Sequence, residues 1–532
     1  MTRPSRFAAM GLALLAASGC HKGGFAHSPA PPGVLRYAIA THLTTLDPGL
    51  VQDPETIDVL QNVYEGLVSF GPDNQIRPQL ALGWQIKDGG KTYVFNLRRD
   101  ATFQDGHPLR AQAFVWTIDR NTDPKLASPV AGTYLAPIQG VAQREAGKAQ
   151  TVAGVKALDD HTLQITLDKP RPYFLSMLTY PVAFVLEPGV APEHARIDDI
   201  EQAVGTGPFR FSAFIPDQII RLERFDRYYG GEPPLTQIDR PVILDPETRL
   251  AKFEAGDLDL LVLERADVAG VRKDPTLAKQ LQFIDRPTVA YLCLNPAASP
   301  AFKDPRVRRA IAMAVDRGDL VRSVLAGVDS PAYGILPPGV PAHRDKAAVP
   351  PFDPQSAKGL LTQAGFPNGK GLNLPALAYE ADNADAKLVA ETLQDQLRKN
   401  LGLDVSLQAM AQGALLQRRN NKQLPMYLES WQADYLDPQD FLSLLFMSDS
   451  QLNFYGYDSP AFDSDCLIAD SDQNPDERAR LYQRAEDTLL QDSIWVPLYF
   501  VRDAILVSPR VHNLQTSTLF GFMPHRATSA GP

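Results

Sequence analysis

Asp434 and Asp437 stand three residues apart in the run Trp431-Gln432-Ala433-Asp434-Tyr435-Leu436-Asp437-Pro438, and a carboxylate at the first of these positions is suited to holding a ligand ammonium. Alternating polar and apolar positions from Ser430 favour extended chain, and Asp437-Pro438 stops it, so Asp434 falls where a strand meets a loop. A plainer reading of the same residues has Asp434 capping the turn and Trp431 filling core. Other chemistries leave weaker marks. Gly205-x-Gly207-x-x-Arg210 lacks the third glycine of a dinucleotide loop, and Pro208 disfavours the helix entry such a loop needs, so it reads as an approach to a strand. The nine histidines are scattered, with no His-x-x-x-His or Cys-x-x-Cys pair, so no metal site built from local spacing is expected; ligands converging from distant loops stay open. Gly-x-Ser-x-Gly, Ser-x-x-Lys and Walker patterns are absent, and Asp159-Asp160 between two strand-like runs reads as a turn rather than an acid/base pair.

The elements that must position the candidate strand are mixed α and β, without internal repeats. Trp84 to Lys87 and Thr92 to Leu97 flank Asp88-Gly89-Gly90, a hairpin signal. Asp304-Pro305 and Asp353-Pro354 each supply an N-cap and a favoured first helical position; Val307, Ile311 and Val315 follow the first on one face, and Ala357, Leu361 and Ala364 follow the second before Gly365. Arg306, Arg308 and Arg309 fall off the apolar face and read as solvated or paired with carboxylates. Val389, Leu393, Leu397 and Leu401 form a stripe ended by Gly402, after which Leu403, Val405 and Leu407 alternate as a strand; helix followed by strand suggests α/β units. Asn474-Pro475 opens a further helix through Leu481, Ala485 and Leu489.

At 532 residues and 44% hydrophobic content the chain can bury a large core, and its length suggests roughly three domains. Arg3 and Arg6 precede an apolar run from Phe7 to Ala17, then Ser18-Gly19-Cys20: a charged n-region, an h-region too short to span a bilayer, and a small-residue cleavage site. Cys20 after small residues suggests a lipobox, with Ala17 where Leu is usual; cleavage there would leave a lipidated Cys20 and a flexible linker rich in Gly, Pro and Ala. Loss of residues 1–19 removes two arginines from a chain of net −10, leaving −12, which argues against nucleic acid as partner. Cys293 and Cys466 are distant and flanked by apolar residues; a single bridge in an oxidising compartment stays open, and two buried free thiols are the simpler reading.

The run from Trp431 resembles the ligand-site segment of the periplasmic oligopeptide- and dipeptide-binding proteins of peptide ABC importers, bacterial extracellular solute-binding protein family 5. The resemblance continues in order through Thr45-Leu46-Asp47-Pro48, Tyr64-Glu65-Gly66-Leu67, Tyr93 to Arg98, Asp105-Gly106, Gly154 to Thr162, Gly205 to Phe209, Phe302 to Ala310, Ser459 to Asp463 and Arg478 to Pro497. It implies an α/β type II periplasmic binding protein fold, two hinged α/β lobes plus an inserted third domain. The divisions it suggests are 1–19 signal peptide, 20–32 lipid-anchored linker, 33–64, 183–289 and 502–532 first lobe, 65–182 inserted domain and 290–501 second lobe.

By the same resemblance, Ser430, Trp431 and Gln432 would pair with the backbone of an extended peptide, Gln52 and Asp53 would oppose them beside Pro54, which has no N–H to offer, Asp434 would capture the ligand ammonium, and Tyr435 would complete the site. No catalysis and no resident cofactor are expected. Expected partners are a peptide ligand, the permease subunits of an ABC importer with a separate ATPase, and the membrane through the lipid on Cys20 alone, for a monomer in the periplasm or cell envelope. Leu428 and Asp385 stand where some oligopeptide binders carry basic residues for the ligand carboxylate, which leaves ligand length open. A murein peptide, nickel chelate or haem as ligand, an envelope hydrolase or peptidase, and a signalling or chaperone-like lipoprotein are the alternatives.

Overall fold

The computed structural model describes residues 31–519, 521–523 and 528–531. The signal peptide, Cys20 and nearly all of the 20–32 linker lie outside the described residues. Two long antiparallel strands, Leu281–Leu294 and Trp495–Val507, run side by side through both halves of the molecule. At one end Leu260–Val262 pairs with Ile505 to Val507. At the other, Met426–Gln432 pairs along Thr288 to Leu294, and Leu377–Glu380 and Leu407–Met410 extend that sheet in parallel. Between the two ends the register breaks: Asp285 faces Arg502 and Val289 faces Phe500, so Arg286, Pro287 and Thr288 oppose the single Val501. Pro287 has no N–H to give a ladder, which is why the bulge sits there.

Period-two alternation sorts the side chains of the second lobe onto two faces of its sheet. Tyr291, Cys293, Tyr427 and Trp495 enter one buried cluster, and Leu292, Leu294, Met426 and Val496 enter the other. The first lobe carries the four-stranded sheet Val34–Arg36, Gln237–Pro241, Ile219–Arg224, Phe209–Ile215 in that order. A separate antiparallel sheet, Ala81–Lys87, Thr92–Leu97, Thr162–Thr166, Val155–Asp159, falls within residues 65–182 and shares a core with the first lobe. Among the described residues no helix is long and apolar enough to cross a membrane.

The capping signals act as their chemistry requires. Asp304 accepts the Arg306 N–H at 2.8 Å, Asp353 that of Ser356 at 3.0 Å, and Asn474 those of Asp476 and Glu477 at 3.0 and 3.2 Å, each with proline at the helix start. Gly402 ends the helix Ala384–Leu401 at φ +69°. Gly205 and Gly207 approach main chain too closely for any side chain: a Cβ on Gly205 would lie 2.0 Å from the Val63 carbonyl oxygen, and one on Gly207 2.6 Å from that of Asn62. The Asp159-Asp160 turn joins two paired strands, and Cys293 and Cys466 are buried and unbridged.

Three local expectations need correction. Arg308 is neither solvated nor held by a carboxylate oxygen; it is buried and donates to the main-chain carbonyls of Phe302 and Asp492 at 2.5 and 2.6 Å. The second of these lies at the C-terminal end of the helix Pro475–Asp492, where carbonyls lack helical partners and a cation is favoured. The helix after Asp304 closes at Met313, so Val315 is buried just beyond it rather than on its face. Leu403 and Val405 are buried in the connection, and the strand itself begins at Leu407.

Candidate ligand site

The strand Met426–Gln432 is paired along its full length on one edge only. Its seven residues match Thr288 to Leu294 on one side, whereas on the other the parallel strand Leu377–Glu380 reaches it only at Tyr427 through Ala378. Beyond that bridge the second edge is open to Gln432, and Ser430 and Gln432 are exposed. An edge with free main-chain donors and acceptors is a template for a further strand.

Asp434 lies just past the end of this strand, in a cavity of about 70 Å³ that it shares with Gln52, Pro54, Tyr134, Tyr180 and Gln432. The Tyr134 and Tyr180 rings beside it stack at 3.7 Å between centroids. No Lys, Arg or His pairs with Asp434 among the described residues. Behind it Asp440 is fully buried; its Oδ2 accepts the Asp434 backbone N–H and Trp431 Nε1, both at 3.1 Å, and its Oδ1 has no partner among the described residues. Burial pushes the Asp434 carboxyl up to about 6, against the opposing pull of Tyr134. Asp440 is raised well above the carboxylate range by burial first and the Asp434 charge second. Two desolvated carboxyls without a cation form a site that a ligand ammonium would complete.

Asp437, the other carboxylate of the run, is already neutralised. Arg478 grips it with two nitrogens at 2.5 and 2.7 Å, and it accepts the Gln439 N–H at 2.9 Å. Asp437 therefore fixes the loop and leaves Asp434 as the unpaired acid. Of the other residues named from the sequence, Gln52 faces Asp434 across the cavity, while Asp53 uses its carboxylate as the cap of the helix Pro54–Leu60, accepting Thr56 N–H at 2.8 Å and the Thr44 hydroxyl at 2.6 Å. Tyr435 does not line the cavity: it is 3% exposed, its ring stacks on Tyr173 at 5.9 Å, and its hydroxyl binds Gln439. Tyr134, Tyr180 and Asp440 escape sequence reasoning. The tyrosines come from residues some 250 to 300 positions upstream, and the acid two places after Pro438 looks like any turn residue.

A larger cavity of about 320 Å³ adjoins the same strand at Leu428, Glu429 and Ser430, and one of about 250 Å³ is lined by Tyr37, Asp58 and Arg240 together with Ile284, Arg286 and Asp503 of the long strands. Asp105, His107 and Glu187 bring three donor atoms within 4.8 Å of one another, but lie outside both cavities. Asp105 and His107 already share a 2.8 Å hydrogen bond across one turn.

A family model described as bacterial extracellular solute-binding proteins, family 5 Middle, matches residues 75–453. The probable deoxycholate-binding periplasmic protein YgiS of Escherichia coli K12 is 32% identical over 492 residues, 91% of this chain and 90% of that one. The periplasmic oligopeptide-binding protein OppA of the same organism is 31% identical over 497 residues, 88% of each. Glutathione-binding protein GsiB of Salmonella choleraesuis is 28% identical over 500 residues, 92% and 91% of the two chains. The unliganded open form of the periplasmic murein tripeptide binding protein MppA superposes with a TM-score of 0.83 at 26% identity, over 94% of this chain and 98% of that one. With the model match covering most of the chain and relatives alike over nearly their full length, the protein belongs to family 5 of the bacterial extracellular solute-binding proteins.

Proposed function

We propose that the protein captures extended peptides in the cleft between its lobes and delivers them to an ABC importer, without catalysing a reaction. The observation that supports this reading is the open edge beyond Tyr427 running directly into Asp434, a half-buried carboxylate with no cation among the described residues. The edge offers the main-chain pairing that any peptide can use, and Asp434 selects a free N-terminus. A neutral or missing amine leaves the acid desolvated and unpaired, at a cost of about 3–5 kcal/mol. Gln52 and the main chain at Asp53 oppose the strand, and Pro54 offers no N–H there. The relatives named above bind different molecules by name, so peptide against other solutes is the question to test.

In this reading the lobes divide at 33–64, 183–289 and 502–532, 65–182, and 290–501, with both crossings inside the long strand pair. A monomer held in the envelope by a lipid on Cys20 would meet permease subunits whose ATPase is a separate chain. Calorimetry with a tripeptide and its N-acetylated form tests the site: the free amine is expected to bind at least a hundredfold tighter. Equal binding of both forms would remove Asp434 from ammonium capture. Detergent partitioning of wild type against Cys20→Ser tests the anchor, and wild type found in the aqueous phase would rule it out.

A further inference from the structure

The cavity of about 320 Å³ beside Ser430 lies at the carboxyl ends of the parallel strands Leu377–Glu380 and Met426–Gln432, where open α/β sheets take ligands. Three carboxylates line it: Glu380, Asp385 and Glu429. A fourth, Asp329, stands fully buried behind Arg265, the one basic side chain in the lining. Arg265 is already engaged, by Asp329 at 2.8 Å and by Asp385. Glu429 is held by Arg419 and by the Tyr291 hydroxyl at 3.1 Å, and Arg419 also lies over the Phe454 ring at 4.7 Å. Four acids against two guanidinium groups leave an excess of two negative charges, and Glu380 has no side-chain partner among the described residues.

Two helices begin at this cavity, Ala384–Leu401 and Gln412–Asn420, and each places about half a positive charge at its first turn. The first is already offset in part by the Asn383 cap. What remains is smaller than the acidic excess. Val389, Leu415, Leu416, Leu428 and Leu498 supply apolar wall, which suits an alkyl stem that carries its charge at the tip.

We propose that this cavity is a subsite for a cationic side chain, the amine or guanidinium of a basic residue at the second or third position of an extended peptide. The proposal rests on the peptide reading above. Gln432 lines the Asp434 cavity, and Ser430 lies two positions before it, about 7 Å of extended chain at roughly 3.3 Å per residue. A ligand whose ammonium sits at Asp434, whose first residue lies beside Gln432 and whose backbone follows the open edge therefore brings its second and third residues alongside Trp431 and Ser430. Alternation of side chains across the strand sends one of those two into the cavity and the other away from it.

Calorimetry on the intact chain tests this with Ala-Lys-Ala-Ala and Ala-Ala-Lys-Ala, each against the same peptide with norleucine or glutamate in place of lysine. One lysyl peptide is expected to bind at least tenfold tighter than its norleucine form, with glutamate weakest. Glu380→Gln, checked by circular dichroism, should cut the lysine advantage to less than threefold while leaving norleucine binding unchanged. Lysine and norleucine bound equally well at both positions would overturn the cationic subsite and leave the peptide reading intact. If no peptide binds, both fall. Pentane-1,5-diamine alone binding as tightly as the lysyl peptide would overturn the proposal by showing that the backbone contributes nothing.

Discussion

Asp440 receives the backbone N–H of Asp434 at 3.1 Å on the same oxygen that accepts the Trp431 indole. One buried acid thus ties the end of the open strand to the residue that follows it. It holds the Asp434 side chain at the cleft without contributing a cation.

Asp440→Ala should therefore lower stability, since it leaves two half-buried N–H donors without their acceptor, at about 1–3 kcal/mol. Asp440→Asn keeps an oxygen in place and should lose less than half as much. Urea unfolding of the two variants gives the comparison, and equal losses would show that the oxygen is not the anchor.

Asp434 links binding and folding to pH in opposite directions. Its native carboxyl titrates at about 6, above the usual value, because burial disfavours the charge. The folded chain then holds more protons than the unfolded one between those values, so the stability this group contributes is present below the unfolded pKa and is lost as pH rises through about 6. Ammonium capture needs the ionised form, so ligand affinity should fall about tenfold from pH 7 to pH 5. Asp434→Asn should leave stability at pH 7 unchanged or higher, weaken binding, and flatten the affinity profile. A wild-type affinity independent of pH across this range would count against Asp434 as the capturing acid.

Asp437 and Arg478 form the supporting pair of the same loop, both nearly buried and joined at 2.5 and 2.7 Å. Arg478→Ala strands the Asp437 charge and should cost about 3–5 kcal/mol. A loss under 1 kcal/mol in denaturant titration would mean that water or another group already solvates Asp437.

The backbone of the first lobe gives a sharper test. A methyl group on Gly205 meets the Val63 carbonyl at 2.0 Å. Gly205→Ala should be destabilised by at least about 3 kcal/mol, the upper range for overpacking. A variant with wild-type unfolding would show that these two segments separate easily.

Local chemistry was legible wherever one residue type does one job with its neighbours. Asp304, Asp353 and Asn474 each precede proline and cap the next turn, and Gly402 supplies the left-handed stop. Arg308 was misread because its partner, the end of the helix Pro475–Asp492, lies 184 positions away, and helical periodicity says nothing about what packs on the polar face. Trp431 to Asp437 mark the loop that carries two acids, but which of them is left unpaired depends on Arg478. Tyr134 and Tyr180 reach Asp434 only once the segment 65–182 folds against the second lobe. The open edge beyond Tyr427 follows from where the neighbouring strand stops, and no spacing in Met426–Gln432 announces it.

The strand pair Leu281–Leu294 and Trp495–Val507 should act as the hinge. Its far end pairs with Leu260–Val262, which meets the first lobe at the Tyr37–Leu260 bridge, and its register break places Arg286, Pro287 and Thr288 against Val501 where ladder bonding is interrupted. Backbone rotation concentrated there moves one lobe against the other and leaves each sheet intact. The expected outcome with saturating ligand is a smaller radius of gyration by small-angle scattering and an unchanged circular dichroism spectrum. Prior population of the closed form would give the same end point with a different order of kinetic steps. Protein verified as ligand-free whose radius does not change on binding would rule out closure about this strand pair and leave a rigid cleft as the binding mode.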